Sequence, residues 1–409
     1  MLSKSNNRKT ALTVSCTAHI VQDGLTATIY VLLPILAQTF GLSYAQVGTF
    51  KGIKSLAQAV LEMLSGVVTE RFGEVRVLTF GLLLSGVGYA SLAAASNANW
   101  VMVLLFVVGV GSAFQHAPAS ALIIAEHPAD GRRGPLGIYN SAGDVGKLLF
   151  TGCFSLMIGF GLAWQDISIG YGAAALVAAV AIGLGGRALA KSRHTETAND
   201  ATQDGDDSGS GWGILNWKSY GTLLVAVFFD TMVQAGVLVF VAFLMLAKGL
   251  PLAIATAATV IVLTGGIFGK AGCGYLADRI GVRSAFTLIQ CLTAAGIVGT
   301  VVAPSWLALV LLFPLGVVLQ GSTSITYGFA ADLIHPKRMA RGYALLYSSS
   351  SFSSVAGPLV FGLIADQFGI ETAIYAMALV AILSVPPIIF LHLGSKADAS
   401  TTKPLDNSI

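Results

Sequence analysis

The chain has 409 residues, of which 55% are hydrophobic and 11% charged, and its formal net charge is +3. Soluble globular domains carry roughly 25% charged residues, so this composition excludes a soluble enzyme or binding domain. The basic residues lie in short connections between apolar runs and form no patch that would indicate a nucleic-acid partner.

Twelve apolar runs follow one another along the chain. They cover residues 12–39, 44–69, 77–96, 100–124, 135–159, 166–187, 218–247, 253–276, 284–303, 305–331, 342–365 and 371–393. A run of about 20 apolar residues crosses a hydrocarbon core of about 30 Å, and it must be helical because lipid offers the backbone no hydrogen-bond partner. The sequence therefore predicts an all-α membrane protein with twelve transmembrane helices.

The positive charges predict the orientation of these spans. Eighteen of the 23 Lys and Arg residues fall in the termini and the even-numbered connections, and only Lys248 falls in an odd-numbered one. Positive loops stay on the cytoplasmic side, so we expect both termini in the cytoplasm of a multi-pass protein of the bacterial inner membrane.

One long polar connection divides the chain. We expect a six-helix bundle over 1–187, a flexible cytoplasmic linker over 188–217, and a second bundle with a tail over 218–409. Trp212 and Trp217 indicate a helix at the membrane interface just before the seventh span, with an amphipathic regulatory element as the alternative.

The two predicted bundles repeat each other. The segment Gly66-x-x-x-Glu70-Arg71-x-Gly73 returns 208 residues later as Gly274-x-x-x-Asp278-Arg279-x-Gly281. His127, Arg133 and Tyr139 recur in the same register as His335, Arg341 and Tyr347. We therefore expect two pseudo-symmetric halves related by an axis along the membrane normal.

These repeated motifs resemble the signature of the major facilitator superfamily, G-x-x-x-D-R-x-G-R/K. Within it, AHIVQDG, LSYAQVG and GSAFQHAPAS in the first half are similar to the fosmidomycin resistance group of efflux proteins, although Asp144-Val145-Gly146-Lys147 stands where that group tends to have a Gly-Pro pair. The resemblance implies the major facilitator fold and secondary transport by alternating access, with the third and sixth helix of each half facing lipid.

The signature residues predict a cytoplasmic gate. An acid and an arginine at a helix end can hold neighbouring helix termini in one conformation only, which biases the equilibrium between conformations. The gate candidates, including Asp366 from a partial third copy of the motif, are Gly66, Glu70, Arg71, Gly73, Gly274, Asp278, Arg279 and Asp366. The alternative is that the motif only marks a polar loop.

Ten side chains able to carry charge lie well inside predicted spans, away from the span ends, and spans 3, 6, 9 and 12 contain none of them. Each centrally placed charge costs at least about 2.5 kcal/mol to insert, so ten would be poorly tolerated against lipid. We expect them to surround a central passage between the bundles.

The substrate-binding candidates centre on the second span. Lys51, Lys54, Gln58 and Glu62 share one helix face, and Lys54 could attract a carboxylate, phosphate or phosphonate or could pair with Asp23. Lys51 could instead snorkel to the outer end. In the fourth span a proline follows Gln115 and His116 and frees a carbonyl, which favours a binding notch. The full set is Lys51, Lys54, Gln58, Gln115, His116, Asn140 and Lys147.

His19 and Asp23 lie one helical turn apart and could exchange a proton between conformations, with Asp230 as the approximate repeat counterpart of Asp23. A histidine bonded to a carbonyl and a fixed counter-ion are the structural alternatives. Asp144 could be neutralised by Lys147 or could reach Lys270 across the halves; Glu62, Asp144 and Lys270 are the candidate charges between the halves.

The sequence lacks a phosphate-binding loop and metal-ligand spacings, so we expect no cofactor beyond the proton gradient, no metal and no enzymatic activity. The predicted function is proton-coupled export of a small organic compound, with an anion among the candidates. Proton-coupled uptake of an organic anion and a non-transporting sensor are the alternatives. The expected partners are the lipid bilayer, protons and a small-molecule substrate, and we expect a monomer.

Overall fold

A computed structural model describes residues 2–127, 133–187, 189, 212–335 and 338–389. The first half contains α1 Leu2–Phe40, α2 Tyr44–Phe72, α3 Glu74–Leu92, α4 Ala98–Ala113, α5 His116–Glu126, α6 Arg133–Gly159 and α7 Trp164–Gly185. The second half contains α8 Trp217–Ala247, α9 Leu252–Ile280, α10 Val282–Val302, α11 Ser305–Asp332, α12 Met339–Phe368, α13 Ile370–Leu383 and α14 Val385–Ile389. All twelve predicted spans are helical, with α4–α5 and α13–α14 each forming one broken span.

Among the described residues, ten helical segments are long and apolar enough by composition to cross a membrane. The two predicted spans outside this set are α2 and α6. Both are of spanning length, 29 and 27 residues, but α2 contains Lys51, Lys54 and Glu62 and α6 contains Asp144 and Lys147. Their polar residues face neighbouring helices, so low hydropathy here reflects burial between helices.

The helix pairings repeat between the halves, which confirms the pseudo-symmetric two-bundle fold. In the first half α1 packs on α6, α2 on α4 and α3 on α7; the equivalent pairs in the second half are α8 with α12, α9 with α11 and α10 with α13. The turns repeat as well. Gly73 and Gly281 end α2 and α9 with φ of 84° and 83°, a left-handed conformation that glycine adopts without strain.

The halves touch mainly along two helix pairs, α2 with α12 and α6 with α9, and α1 also contacts α8 and α9. We call the side where α1 begins and α14 ends the termini side, and the opposite side the far side. On the far side Gly48 lies against Pro358 and Gly362 against Tyr44, so closely that a Cβ at either glycine would overlap backbone. At the other end of α2, Gly66 has no atom of another element within 4 Å of a Cβ position. The bundles are therefore closed on the far side and separated on the termini side.

The uncharged helices lie at the periphery. Large apolar side chains on α3, α7 and α10 are exposed, among them Phe80, Val177 and Val302. By contrast, all ten intramembrane ionisable residues are buried or half-buried. The charges thus avoid the lipid-facing surface, as the sequence predicted.

The segment before α8 differs from the sequence prediction. Residues around Trp212 form no interfacial helix; Ile214 pairs as an isolated antiparallel bridge with Ile334, and His335 N–H donates to Gly213 O at 2.7 Å. Trp217 is the first residue of α8. Most of the predicted linker lies outside the described residues.

Candidate functional site

His19 on α1 is held by α6. Its Nδ1 donates to the carbonyl of Tyr139 at 2.8 Å, and its ring stacks on the Tyr139 ring with centroids 4.1 Å apart. Gly143, one turn further along α6, leaves room for the imidazole, because a Cβ there would lie 2.5 Å from His19 Cε1. The opposite ring nitrogen, Nε2, lies 3.2 Å from Asp23 Oδ2.

The carboxylate of Asp23 has cationic or protonatable groups on three helices around it. Besides His19 on its own helix, Lys147 Nζ on α6 lies 3.1 Å from Oδ2 and His116 Nε2 on α5 lies 4.0 Å from Oδ1. Only 10% of the Asp23 side chain is exposed, and these partners offset the cost of burying a carboxylate.

Asp144 continues the chain of charges into the second half. Its Oδ1 accepts from Lys147 at 3.2 Å and from Lys270 of α9 at 2.7 Å. The two partners that the sequence left as alternatives are thus both present. The resulting order, Asp23, Lys147, Asp144 and Lys270, alternates in sign and joins the two bundles, so a change at one member shifts the balance at the next. Glu62 makes no ion pair with another described residue within 4 Å.

The contacts of the two His19 ring nitrogens indicate where a proton can lie. A backbone carbonyl can only accept, so Nδ1 must carry the proton that bonds Tyr139. On the other side a bond between Nε2 and a carboxylate needs one more proton, carried by the imidazole or by Asp23. The His19–Asp23 pair is thus placed to share one exchangeable proton.

Three residues of this cluster could also serve as ligands of a metal ion. Ligand atoms of His19, Asp23 and His116 lie within 4.8 Å of one another, and two imidazoles with a carboxylate suit a divalent transition metal. However, the Lys147 ammonium already lies beside the carboxylate and would have to leave first. The donor set with its lysine fits a proton better than a metal ion.

The polar stripe on α2 points into the space between helices, and its exposure changes along the helix. Lys51 is buried, donates to Ser55 Oγ at 2.7 Å and lies 5.1 Å from the centre of the Tyr30 ring, so it does not snorkel to the outer end. Lys54 is buried too, whereas Gln58 and Glu62 towards the termini side are half-buried. Accessibility thus increases towards the separated side of the bundles.

Lys54 does not pair with Asp23. Its Nζ donates to Gln58 Oε1 at 2.6 Å and contacts Thr26 Oγ1 at 3.4 Å, and it has no described carboxylate within 4 Å. Thr26 in turn contacts Ser112 Oγ, which also accepts from Gln22 at 2.8 Å. Neutral polar groups from α1 and α4 therefore surround this ammonium.

The fourth span is interrupted at Gln115, where the sequence predicted a notch. Phe114 and Gln115 lie between α4 and α5, because Pro118 cannot donate the hydrogen bond that would continue the helix. Gln115 is buried with its Nε2 unpaired, and the His116 side chain is 40% exposed. Asn140 lies on an exposed face of α6 and takes part in none of the described hydrogen bonds of this site.

Asp230 belongs to a separate cluster. Its carboxylate accepts from Gln234 at 2.9 Å, Gln290 at 2.6 Å and Ser322 at 2.9 Å, which ties α8 to α10 and α11. Neutral donors satisfy both oxygens, and α10 is a peripheral helix. Asp230 thus links three helices of the second half, and its role in proton coupling stays a prediction.

The predicted gate residues on the termini side make no described contact between the halves. Glu70, Arg71, Asp278 and Arg279 are exposed; Arg279 hydrogen-bonds Tyr275 of its own helix and lies 4.6 Å from the centre of that ring. These residues are separated because the bundles are apart on this side.

Asp366 does not lie with the other predicted gate residues. The sequence grouped it with the cytoplasmic gate, but α12 ends on the far side, and Asp366 lies at that end. Its carboxylate accepts from Ser43 Oγ at 2.8 Å, Tyr44 N–H at 2.7 Å and Ala45 N–H at 3.0 Å, at the start of α2. Asp366 is thus an acid at a helix terminus, as predicted, but it lies on the far side and not on the termini side.

Four contributors to the site, Tyr139, Gly143, Thr26 and Ser112, were not among the residues predicted from the sequence. Tyr139, Gly143 and Lys147 recur every four residues and so share one face of α6, a spacing that could have linked Tyr139 to the site. Ser112 and Thr26 carry no charge and gave no comparable signal.

Two pseudo-symmetric six-helix bundles, with buried charge between them and an opening on one side, define an alternating-access membrane transporter fold. The chain belongs to the Major Facilitator Superfamily, which it matches over residues 16–219 and 223–407. It is therefore a transporter-family membrane protein.

Individual relatives are distant. The chain is 24% identical over 379 residues to an uncharacterized MFS-type transporter, YfnC, of Bacillus subtilis, covering 90% of this chain and 89% of that protein. It is 26% identical over 133 residues to the fosmidomycin resistance protein of Escherichia coli, covering 32% of each. The crystal structure of a bacterial homolog of the human lysosomal transporter Spinster superposes with a TM-score of 0.78 at 15% identity, covering 92% of this chain and 95% of that one.

Proposed function

We propose that this chain is a proton-driven antiporter that exports a small organic compound across the bacterial inner membrane, with both termini in the cytoplasm. The observation that carries the proposal is the Asp23 carboxylate, which lies between a protonatable histidine and the first lysine of a charge chain that joins the two halves. The proton gradient supplies the energy, and the protein acts as a monomer without a cofactor.

The charge chain suggests how a proton acts on the fold. A proton taken up by Asp23 removes the negative charge that attracts Lys147, so Lys147 turns fully towards Asp144. Asp144 then has its charge satisfied within its own half and holds Lys270 less tightly. Protonation thus weakens an ion pair between the halves, which is the coupling that alternating access requires.

The distribution of charge and packing supports the proposed orientation. Arg71, Arg76, Arg279 and Arg283 all lie on the termini side, as the positive-inside rule expects for cytoplasmic loops. The bundles are separated on that side, so the site would be open to the cytoplasm, from which an exporter loads its cargo. Export over uptake draws on the partial similarity to the fosmidomycin resistance protein.

Transport in membrane vesicles tests the direction and the coupling residue together. With fosmidomycin and a panel of small organic acids as probes, inverted vesicles with an acidic interior should accumulate cargo, because protons leaving drive cargo in. Uptake by symport would show the opposite dependence, and a sensor would show none.

Asp23→Asn should abolish this accumulation and leave exchange of labelled for unlabelled cargo, because the amide cannot take up the proton that links the two fluxes. Asp166→Asn, an acid at the far-side start of α7, is the matched control and should accumulate normally. Unchanged accumulation in Asp23→Asn would exclude Asp23 as the coupling acid.

A further inference from the structure

Lys54 is a buried cation without a described counter-ion. Its side chain is 1% exposed, and its two hydrogen-bond partners, Gln58 and Thr26, are neutral. Burying a charge is costly unless an opposite charge compensates it. By comparison, half-buried Lys147 binds two carboxylates, and buried Lys51 lies over the face of the Tyr30 ring.

The nearest acids on this side of the molecule are occupied or remote. Asp23 is bonded to His19 and Lys147 and lies more than 4 Å from Lys54. Glu62 is eight residues further along α2, which corresponds to a rise of about 12 Å. Neither carboxylate neutralises the ammonium directly.

The surroundings of Lys54 are polar and unsatisfied. The Gln22 side chain is buried, its Oε1 has no hydrogen-bond partner, and its amide reaches Thr26 through Ser112. A buried donor or acceptor left unpaired costs free energy comparable to a lost hydrogen bond. The ammonium of Lys54 therefore lies among neutral hydroxyl and amide groups of α1, α2 and α4, which can reorient around a polar ligand.

We infer that Lys54 is the anchor for an anionic group of the transported compound, a carboxylate or a phosphorus oxyanion, with Thr26, Gln22 and Ser112 as neutral neighbours. Gln58 Oε1, 2.6 Å from Nζ, occupies the position that an oxygen of the anion would take. Gln58 is half-buried one turn towards the opening, so its amide is displaced when the anion enters. This inference rests on the proposed transport function, whose cargo it assigns to small organic anions.

The test measures binding to the purified protein in detergent, without a proton gradient. Sodium acetate, inorganic phosphate and methylphosphonate are the probes, with acetamide and sodium chloride at equal ionic strength as neutral and ionic controls. At least one oxyanion should raise the melting temperature in a saturable way, on the order of 2 °C or more. Acetamide should not.

Lys54→Gln should abolish the oxyanion response. It should also melt at a higher temperature than the parent in chloride, because an uncompensated charge has been removed. Lys248→Gln is the matched control: that ammonium donates to the carbonyls of Val301 and Ala303 at 2.7 Å each, so its loss should lower the melting temperature and leave the oxyanion response intact.

Three results would overturn the inference: no saturable rise with any of the oxyanions, an unchanged response in Lys54→Gln, or a Lys54→Gln protein that is less stable than the parent or fails to fold. A protein that binds oxyanions but does not accumulate cargo in vesicles would refute the transport proposal and leave the anion site standing.

Discussion

At the residue scale, the arrangement of His19 and Asp23 depends on the absence of a side chain at Gly143 as much as on the charged groups. Asp23 and His19 are positioned by α1, but the imidazole can reach the Tyr139 carbonyl only because residue 143 of α6 is glycine. The same helix face carries Lys147, so one stripe of α6 orients the histidine and supplies the competing cation. Small changes in this stripe should therefore affect coupling without touching an ionisable group.

Gly143→Ala tests this dependence. The added methyl would lie within 3 Å of the His19 ring, so either the ring or α6 must shift. Overpacking of this kind costs about 1–3 kcal/mol, and we expect a melting temperature lower by on the order of 5 °C together with impaired proton-driven accumulation. Thermal unfolding of the purified protein and the vesicle assay measure the two effects.

Gly137→Ala, two turns earlier on α6, is the control, since nothing lies within 4 Å of a Cβ there. Alanine is also the better helix former, so this variant should be as stable as the parent or slightly more stable. Equal behaviour of the two variants would show that the space at Gly143 is unimportant.

At the scale of the helix, the contact between α12 and α2 closes the far side. Asp366 supplies its carboxylate to the first N–H groups of α2, which have no partner within the helix, and a negative charge there also interacts favourably with the helix dipole. The helices belong to different halves, so this capping interaction exists only while the far side is closed. The capping interaction therefore stabilises the conformation that is closed on the far side.

Asp366→Asn should shift the equilibrium towards a protein open on the far side. Side-chain caps contribute about 0.5–2 kcal/mol, which corresponds to a change in population of about twofold to thirtyfold. Spin labels at positions 96 and 304 lie on far-side connections of the two halves. In Asp366→Asn a larger fraction of molecules than in the parent should show the longer distances between these labels. Glu371→Gln removes an acid of α13 on the same side and should leave the distance distribution unchanged; equal distributions in all three proteins would contradict the capping role.

At the scale of the whole molecule, the features that could be predicted from the sequence are those that depend on local sequence patterns. Spans, the internal repeat and the position of charges within helices follow from hydrophobic runs and spacing, and the structure confirms the fold. The partners of Asp366, Asp144 and His19 lie more than 100 residues away in the chain. Nothing in local spacing selects among several chemically suitable partners, because the choice depends on how the bundles pack. The symmetry between the halves did not indicate the different surroundings of Asp230, which repeats Asp23 in position but is surrounded by neutral donors.

The separation of the bundles on one side makes a prediction about the whole protein in its membrane. Gly66 on α2 lies in the open part and Ser96 lies in a far-side connection, so single cysteines at these positions should react with membrane-impermeant thiol reagents from opposite sides. In a background without the four native cysteines, Gly66→Cys should be labelled in inverted vesicles and Ser96→Cys in intact cells. The reversed pattern would place the termini outside and refute the orientation proposed here, while failure to label position 66 from either side would show that the termini side is closed in the membrane.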